Sequence, residues 1–175
     1  MSVEERLTEL GLQLPATPSM PAGVEATFSW VRVLGERVLV SGHGPQELDG
    51  SPAGPFGRVP DEVGPEEAIA SARAAALSVL SSVRDAIGGL DRITAWVTVT
   101  GFVQTRPGYP RTTAVINGFS QLIIDVFGKE VGQHARTAIG VTALPLNLPV
   151  VVAAELHVAS GPHRERVRPS PVATS

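Results

Sequence analysis

The chain has 175 residues, 43% of them hydrophobic, which predicts one compact domain with short tails. It has no cysteine, which excludes disulfides, thiolate metal sites and cysteine nucleophiles, and its net charge of −3 argues against nucleic acid as a partner. No apolar run approaches the roughly 20 residues of a membrane span, and the charged N-terminal segment does not resemble a signal peptide, so we expect a cytoplasmic protein without a membrane partner.

Apolar residues at helical spacing predict two long helices, and runs of β-branched residues predict strands. The helix that begins at Pro65 is the clearest, because proline suits a first turn and Glu66 and Glu67 complement the helix dipole. The predicted elements are a helix over 1–12, strands over 28–33 and 37–41, a loop over 42–64 with a short strand near Gly57, a helix over 65–87, a strand over 93–103, a helix from Thr112 or Thr113 to Phe127, a loop over 128–132, and strands over 135–144 and 150–158.

The alternation of these elements predicts an α+β fold, with one mixed sheet and both helices on one face. The strand around Trp96 has apolar residues at both parities, with Trp96 and Phe102 at one and Val97 and Val99 at the other, so the second face of the sheet must also be covered. Because no further helix is available, we expect other copies of the chain to cover it. The predicted divisions are an N-terminal helix and linker over 1–22, a folded domain over 23–160 and a disordered tail over 161–175.

Two short segments carry candidate site residues. The segment His134–Ala138 places Arg136 at the mouth of an apolar strand, where its planar guanidinium could hold a carboxylate; the alternative is a structural salt bridge to Asp125 or Glu130. The segment Ser41–Pro45 places a glycine turn at a strand end, where backbone groups lie beside a hydroxyl; the alternative is an ordinary turn.

Motifs for cofactors and metals are missing from the sequence. There is no GxGxxG or Walker A segment, no HxH or HExxH pair and no GxSxG motif, and the four histidines are scattered. We therefore expect no cofactor and no metal.

Several further stretches, in order between about residues 4 and 158, resemble one known family. The chain is similar to the RidA (YjgF, endoribonuclease L-PSP-like) family, and within it to the longer bacterial subgroup with a leucine-rich N-terminal segment. The matching stretches are Val40–Pro45, Ala72–Leu77, Gly89–Ile93, Gly101–Val103, Val115–Ser120, Val126–Gly128, His134–Val141 and Leu144–Leu146.

This resemblance implies a chorismate-mutase-like, YjgF-type fold and a barrel-like homotrimer, with clefts between subunits that are each closed by two chains. Its best-known members hydrolyse reactive enamines and imines, such as 2-aminoacrylate, to 2-oxo acids and ammonia without a cofactor. The resemblance therefore implies a hydrolase similar to 2-iminobutanoate/2-iminopropanoate deaminase.

The resemblance also assigns expected roles to individual residues. The family's carboxylate-binding arginine matches Arg136, and further substrate contacts match Ser41–Gly42 and Asn117. Phe28 stands where a tyrosine often closes the pocket. His43 stands where many members have glutamine, and its imidazole could also act as a general acid or base.

The acid that deaminating members use on their last strand is not at its expected place. Counted from Arg136, the two expected acids are Val151 and Ala153, whereas Glu155 has the same strand parity. A turn two residues longer at 146–149 would bring Glu155 into register as a catalytic acid. Without that shift, Glu155 is an ordinary strand-end charge.

Two functions consequently stay open. One is the deaminase, with Arg136 and Glu155 as its catalytic residues. The other is a non-deaminating binder, or a pathway-specific enzyme, for a small carboxylate metabolite anchored by Arg136. Ribonuclease activity, which some names of the family mention, is disfavoured by the net acidity of the chain.

Overall fold

The computed structural model describes residues 1–18 and 26–160, so the predicted tail lies outside the described residues. Its element order matches the predicted order, and the regular elements are α1 (Val3–Glu9), β1 (Val31–Leu34), β2 (Arg37–His43), α2 (Pro65–Ile87), β3 (Ile93–Gln104), α3 (Thr112–Gly132), β4 (Ala135–Val141) and β5 (Val150–Val158).

Some predicted boundaries at the N-terminal side were wrong. The first helix ends at Glu9, well before the prolines, and the chain turns at Gly11, which has a φ of 65°. The first strand begins at Val31 rather than Phe28. The short strand expected near Gly57 is a single parallel bridge between Val59 and Thr105.

The ends of α3 also differ from the prediction. Arg111, not a threonine, is the N-cap, and the hydroxyl of Thr112 instead donates to the carbonyl of Ala138 at 3.3 Å. The predicted loop over 128–132 is a further helical turn, which resumes after a break at Gly128 with φ 74° and ψ 169°. Glycine permits this conformation, and it redirects the chain toward β4.

The five strands form one mixed sheet in the order β1-β2-β5-β3-β4, in which β3 and β4 are parallel and the other neighbours are antiparallel. The helix α3 connects the two parallel strands, as a parallel pair requires. Helix α2 packs over β1, β2 and β5, and α3 packs over β3 and β4. The predicted α+β architecture, with both long helices on one side of a mixed sheet, is therefore confirmed.

Strand β5 shows how the sequence sorts residues between the two sides of the sheet. Its residues at even numbers are buried against the helices, whereas Val151, Ala153 and Glu155 point to the other side. Across the ladder, Phe102 lies opposite Val151 and also opposite Ile139 of β4. We call this second side the open face. Its members on the three adjoining strands are Thr98, Thr100, Phe102, Ala135, Thr137, Ile139, Val151, Ala153 and Glu155.

No element within residues 1–18 and 26–160 covers the open face, and Ile139 is exposed there. Its mixture of apolar and threonine side chains suits a face that is covered on assembly. The expected oligomer thus remains a prediction. Of the described helices, none has the length and apolar character needed to cross a membrane.

The two long helices approach each other most closely at Gly118. A Cβ atom at this position would lie 2.1 Å from the backbone carbonyl oxygen of Ile69 in α2. Since a backbone atom cannot rotate away, the helices would have to separate. The glycine therefore sets the distance between α2 and α3.

We expect Gly118→Ala to destabilise the fold by about 1–3 kcal/mol through overpacking, although alanine normally favours a helix over glycine by about 1 kcal/mol. Urea denaturation would measure the change. As a control, Ala86→Gly changes an exposed position of α2 and reports helix propensity alone. An alanine at 118 that raised the stability would show that the close contact is not limiting.

Candidate functional site

The guanidinium of Arg136 is held in place by three acceptors on α3. Nη1 donates to Oδ1 of Asn117 at 2.9 Å and to Oγ of Ser120 at 3.0 Å. Nη2 donates to the backbone carbonyl of Thr113 at 3.3 Å. Arg136 lies opposite Val99 in the ladder, which places its side chain on the helix-facing side of the edge strand β4. The structure thus brings together Arg136 and Asn117, two of the predicted site residues.

All three of these partners are neutral groups. No carboxylate of the described residues lies within 4 Å of Arg136, and Asp125, the predicted alternative partner, pairs with Arg73 at 3.6 Å. Burial lowers the pKa of Arg136 from its ordinary range, but a guanidinium stays protonated at neutral pH. The fork is therefore oriented and partly desolvated, and its charge is not neutralised by the described part of the chain, so it can receive an anion.

A short relay fixes the orientation of Ser120. The Nδ1 of His134 donates to the carbonyl of Gly132 at 2.7 Å, because a carbonyl can only accept. The Nε2 then accepts the hydroxyl of Ser120 at 2.9 Å, which leaves the serine oxygen to receive Arg136. Burial, and then the charge of Arg136, lower the pKa of His134, so its neutral form is favoured.

Sequence reasoning did not assign a site role to Ser120, His134 or Thr113. A signal was nevertheless present, since Thr113, Asn117 and Ser120 recur at intervals of four and three residues, the spacing of one helix face. Three polar residues on one stripe of an otherwise apolar helix indicate a polar partner opposite them. The arginine of the following strand is that partner.

A second group of predicted residues lies at the end of β2. The ladder between β2 and β5 shifts between Val40 and His43, so Ser41 and Gly42 form a bulge. The hydroxyl of Ser41 donates to the carbonyl of Ser29 at 2.7 Å. A Cβ at Gly42 would lie 2.7 Å from Cγ1 of Val151, so only glycine fits at this point without a shift of that side chain.

His43 lies inside the fold and is only 1% exposed. Its Nδ1 donates to the carbonyl of Ser41 at 2.7 Å, and its Nε2 accepts the hydroxyl of Ser82 at 2.8 Å. Burial lowers the pKa of the imidazole below its usual value. Both ring nitrogens are thus occupied within the chain, which leaves His43 positioned to hold the turn and not to exchange protons with a ligand.

Phe28 and Gly42 line a common cavity of about 410 Å³ beside the turn. The ring of Trp30 packs edge-on against Phe28, with centroids 4.9 Å apart, and lies 5.1 Å from the imidazole of His43. Leu146 and Val151 complete its apolar wall. The structure therefore brings together Phe28, Gly42 and His43, and Trp30 lies beside them.

Glu155 lies on the open face with the predicted parity, but it is not beside the glycine turn at Ser41 and Gly42. Its Oε1 accepts Nε of Arg37 at 2.8 Å, and this hydrogen bond holds the pKa of the carboxyl below its usual range. Glu155 pairs with Leu39, whereas the bulge lies opposite Ala153. It is four residues from Val151, or roughly 13 Å along the strand.

The two groups of residues are separated within one chain. Arg136 belongs to the edge strand β4 and Gly42 to β2, which are three strand spacings, or roughly 14 Å, apart. They also point to opposite sides of the sheet, since Arg136 faces the helices and Gly42 faces Val151. A small ligand cannot contact both within one protomer. In the described ranges, no three metal-ligating side chains come together.

Comparisons with known proteins cover most of the chain. Protein TCP17 of Trypanosoma cruzi is 39% identical over 153 residues, which are 86% of this chain and 90% of that protein. The crystal structure of the protein Atu1372 of Agrobacterium tumefaciens, which is described as having unknown function, has 34% identity and a TM-score of 0.80 over 90% of this chain and 92% of its own. No protein-family model matches the chain.

More distant solved structures share the fold. RidA from an Antarctic Psychrobacter bacterium has 16% identity and a TM-score of 0.53, with 83% of this chain and 97% of that chain covered. The TdcF protein of E. coli, whose structure contains bound serine, has 17% identity and a TM-score of 0.54, with coverages of 84% and 99%.

The fold defines a class of small α+β proteins with one mixed sheet and both long helices on one side. The chain belongs to the RidA (YjgF/L-PSP) family.

The buried imidazole of His43 predicts a pH-dependent stability. Because burial lowers its pKa from 6.5, the unfolded chain binds more protons below that pH, so stability present above pH 6.5 is lost as the pH falls through the folded pKa. We expect the urea midpoint to fall between pH values of about 7.5 and 5.5, and His43→Gln to lessen this loss, because an amide makes both hydrogen bonds without a proton.

The exposed Thr94 gives the control, since Thr94→Ser changes no ionisable group and should leave the pH dependence as it is. His134, whose pKa burial also lowers, accounts for a share that His43→Gln retains. Equal pH dependence in the wild type and His43→Gln would contradict the proposed burial of a neutral His43.

Proposed function

We propose that this protein binds the carboxylate group of a small metabolite at Arg136. The observation that carries the proposal is the oriented guanidinium, which has three neutral acceptors and no carboxylate among the described residues within 4 Å. A carboxylate offers the two oxygens that a guanidinium fork binds best. The bound serine of the TdcF structure, a carboxylate-bearing molecule on the same fold, supports this choice.

The binding cleft is completed by a second copy of the chain. Arg136 and Asn117 form one half at the edge strand, and Phe28, Ser41 and Gly42 form the other half at the far side of the sheet. Assembly of copies around their open faces would bring unlike halves together and bury the exposed Ile139. A homotrimer, as the family resemblance implies, gives three such clefts.

Deamination of an enamine or imine is the second candidate function. Glu155 favours it, because its hydrogen bond from Arg37 keeps an ionised carboxylate on the open face, where it can accept a proton from water. The enamine carbon takes one proton from solvent water to give an iminium. Water adds to the C=N bond, and the C–N bond of this adduct breaks to leave a 2-oxo acid and ammonia. Arg136 holds the carboxylate throughout.

We expect Arg136→Ala to weaken the binding of pyruvate and 2-oxobutanoate by about 10–100-fold, since a hydrogen bond to a charged group contributes about 1.5–3 kcal/mol. Arg136→Lys should retain more of the affinity than Arg136→Ala but less than the wild type, because an ammonium lacks the planar fork. Isothermal titration would measure the affinities. Arg84→Ala, which removes another arginine, is the control. Full affinity in Arg136→Ala would refute the proposal.

Mixed oligomers test whether each cleft uses two chains. Arg136→Ala destroys one half, and Gly42→Val fills the other half, where a side chain collides with Val151. Neither variant alone should bind an acid tightly. Co-refolding the two should restore tight binding in a fraction of the sites, because some clefts then combine two intact halves. No restoration, in mixtures shown by mass spectrometry to contain both chains, would place the site within one protomer.

The deaminase candidate is tested with 2-aminoacrylate, generated in place by a serine dehydratase and followed by its absorbance. The wild type should speed its decay over buffer, and Arg136→Ala should abolish the gain. Glu155→Gln should lower the rate about 100-fold if the carboxylate is the base. Acceleration that Glu155→Gln retained in full would remove Glu155 from the chemistry, and no acceleration by the wild type would leave the binding function alone.

A further inference from the structure

The cavity beside the glycine turn is built for an apolar group. Its walls come from Phe28, Trp30, Leu146, Leu148 and Val151, and its volume of about 410 Å³ lies within the range of small-molecule sites. The imidazole of His43 contributes to the lining, but its two nitrogens are already bonded inside the chain. The cavity therefore offers a ligand extensive van der Waals contact and few free polar groups.

Leu146 is the least expected part of this wall. The residue is 61% exposed, and its φ of 58° is left-handed, a conformation that residues other than glycine and asparagine rarely adopt. The next residue, Asn147, is left-handed as well, with a φ of 57°. The left-handed conformation costs free energy. An exposed leucine makes few packing contacts with the rest of the described chain that could offset this cost.

The turn is held by a buried side chain. Gln104, only 3% exposed, donates to Oδ1 of Asn147 at 2.6 Å and accepts the backbone N–H of Leu144 at 2.7 Å. The N–H of Gly57 donates to the carbonyl of Asn147 at 2.8 Å. These bonds fix Leu146 at the mouth of the cavity. A strained, fixed and exposed apolar side chain is typical of a position that contacts a ligand.

Val151, on the opposite wall of the cavity, also indicates that the cavity receives an apolar group. It stands at one of the two places where the family resemblance leads one to expect an acid, and its Cγ1 fills the space that Gly42 leaves by lacking a side chain. A carboxylate there would face an apolar cavity and lose hydration. Valine removes that charge and extends the apolar wall.

We infer that the ligand is a carboxylate, such as a 2-oxo acid, whose other end is a branched aliphatic or aromatic group of at least four carbons. The apolar group enters the cavity between Trp30, Leu146 and Val151. This inference rests on the proposed function, in which Arg136 of a second copy holds the carboxylate. It names the substrate class that the site prefers.

A series of acids of increasing apolar size tests this preference. Titration calorimetry would compare pyruvate, 2-oxobutanoate, 4-methyl-2-oxopentanoate and phenylpyruvate with the assembled full-length protein. Each buried methylene should raise the affinity up to about fourfold, so that 4-methyl-2-oxopentanoate binds at least tenfold more tightly than pyruvate.

Variants of the wall should reduce the slope of affinity against chain length. Leu146→Ser and Val151→Asp should both reduce this slope. If Val151→Asp disturbs folding, the nearly isosteric Val151→Thr provides a milder change. Leu48→Ser is the matched control, because Leu48 is 62% exposed and lies outside the cavity lining. Its slope should equal that of the wild type.

Three results would overturn the inference, and they can be told apart. Equal affinities for all four acids, lost in Arg136→Ala, would disprove the apolar preference and leave the proposed function in place. A slope that all the wall variants retained, while the folded state was verified by circular dichroism, would locate the apolar contact elsewhere. If no acid bound at all, both the inference and the proposed function would be contradicted.

Discussion

The site depends on a positive charge that the described chain orients but does not neutralise. Asn117, Ser120 and the carbonyl of Thr113 accept hydrogen bonds from Nη1 and Nη2 of Arg136, yet each brings only a dipole. Partial burial makes this charge costly, and an ion pair would have relieved the cost. Asp125, close in sequence to these acceptors, is instead paired with Arg73. The anion that the fork lacks therefore has to come from outside the described residues.

The topology of the sheet determines how such a site can work. Because α3 connects the parallel strands β3 and β4, the arginine strand lies at an edge and its side chain returns to the helix that precedes it. The glycine turn is on the other side of the two central strands. One protomer thus carries two incomplete halves, and their separation is a direct result of the strand order. Under the proposed function, assembly of copies is therefore a condition for binding.

Much of the fold follows from local patterns in the sequence, whereas the site follows from them only in part. The apolar spacing of α2 and the alternation in β5 determine which sides are buried, so the architecture could be predicted. The inward position of His43 could not, because it depends on a bulge in the ladder between Val40 and His43. The helical turn after Gly128 was missed for a similar reason, since a glycine can either end a helix or only interrupt it.

The position of Arg136 on an edge strand also has a consequence for solubility. Within residues 1–18 and 26–160, no strand pairs with the outer side of β4, and Ile139 of this strand is exposed; an edge of this kind promotes aggregation in β-proteins. If copies of the chain cover this edge when they complete the cleft, one contact both protects the protein and forms the ligand site. Substitutions that loosen this contact would then lower yield and function together, even when they lie far from the arginine.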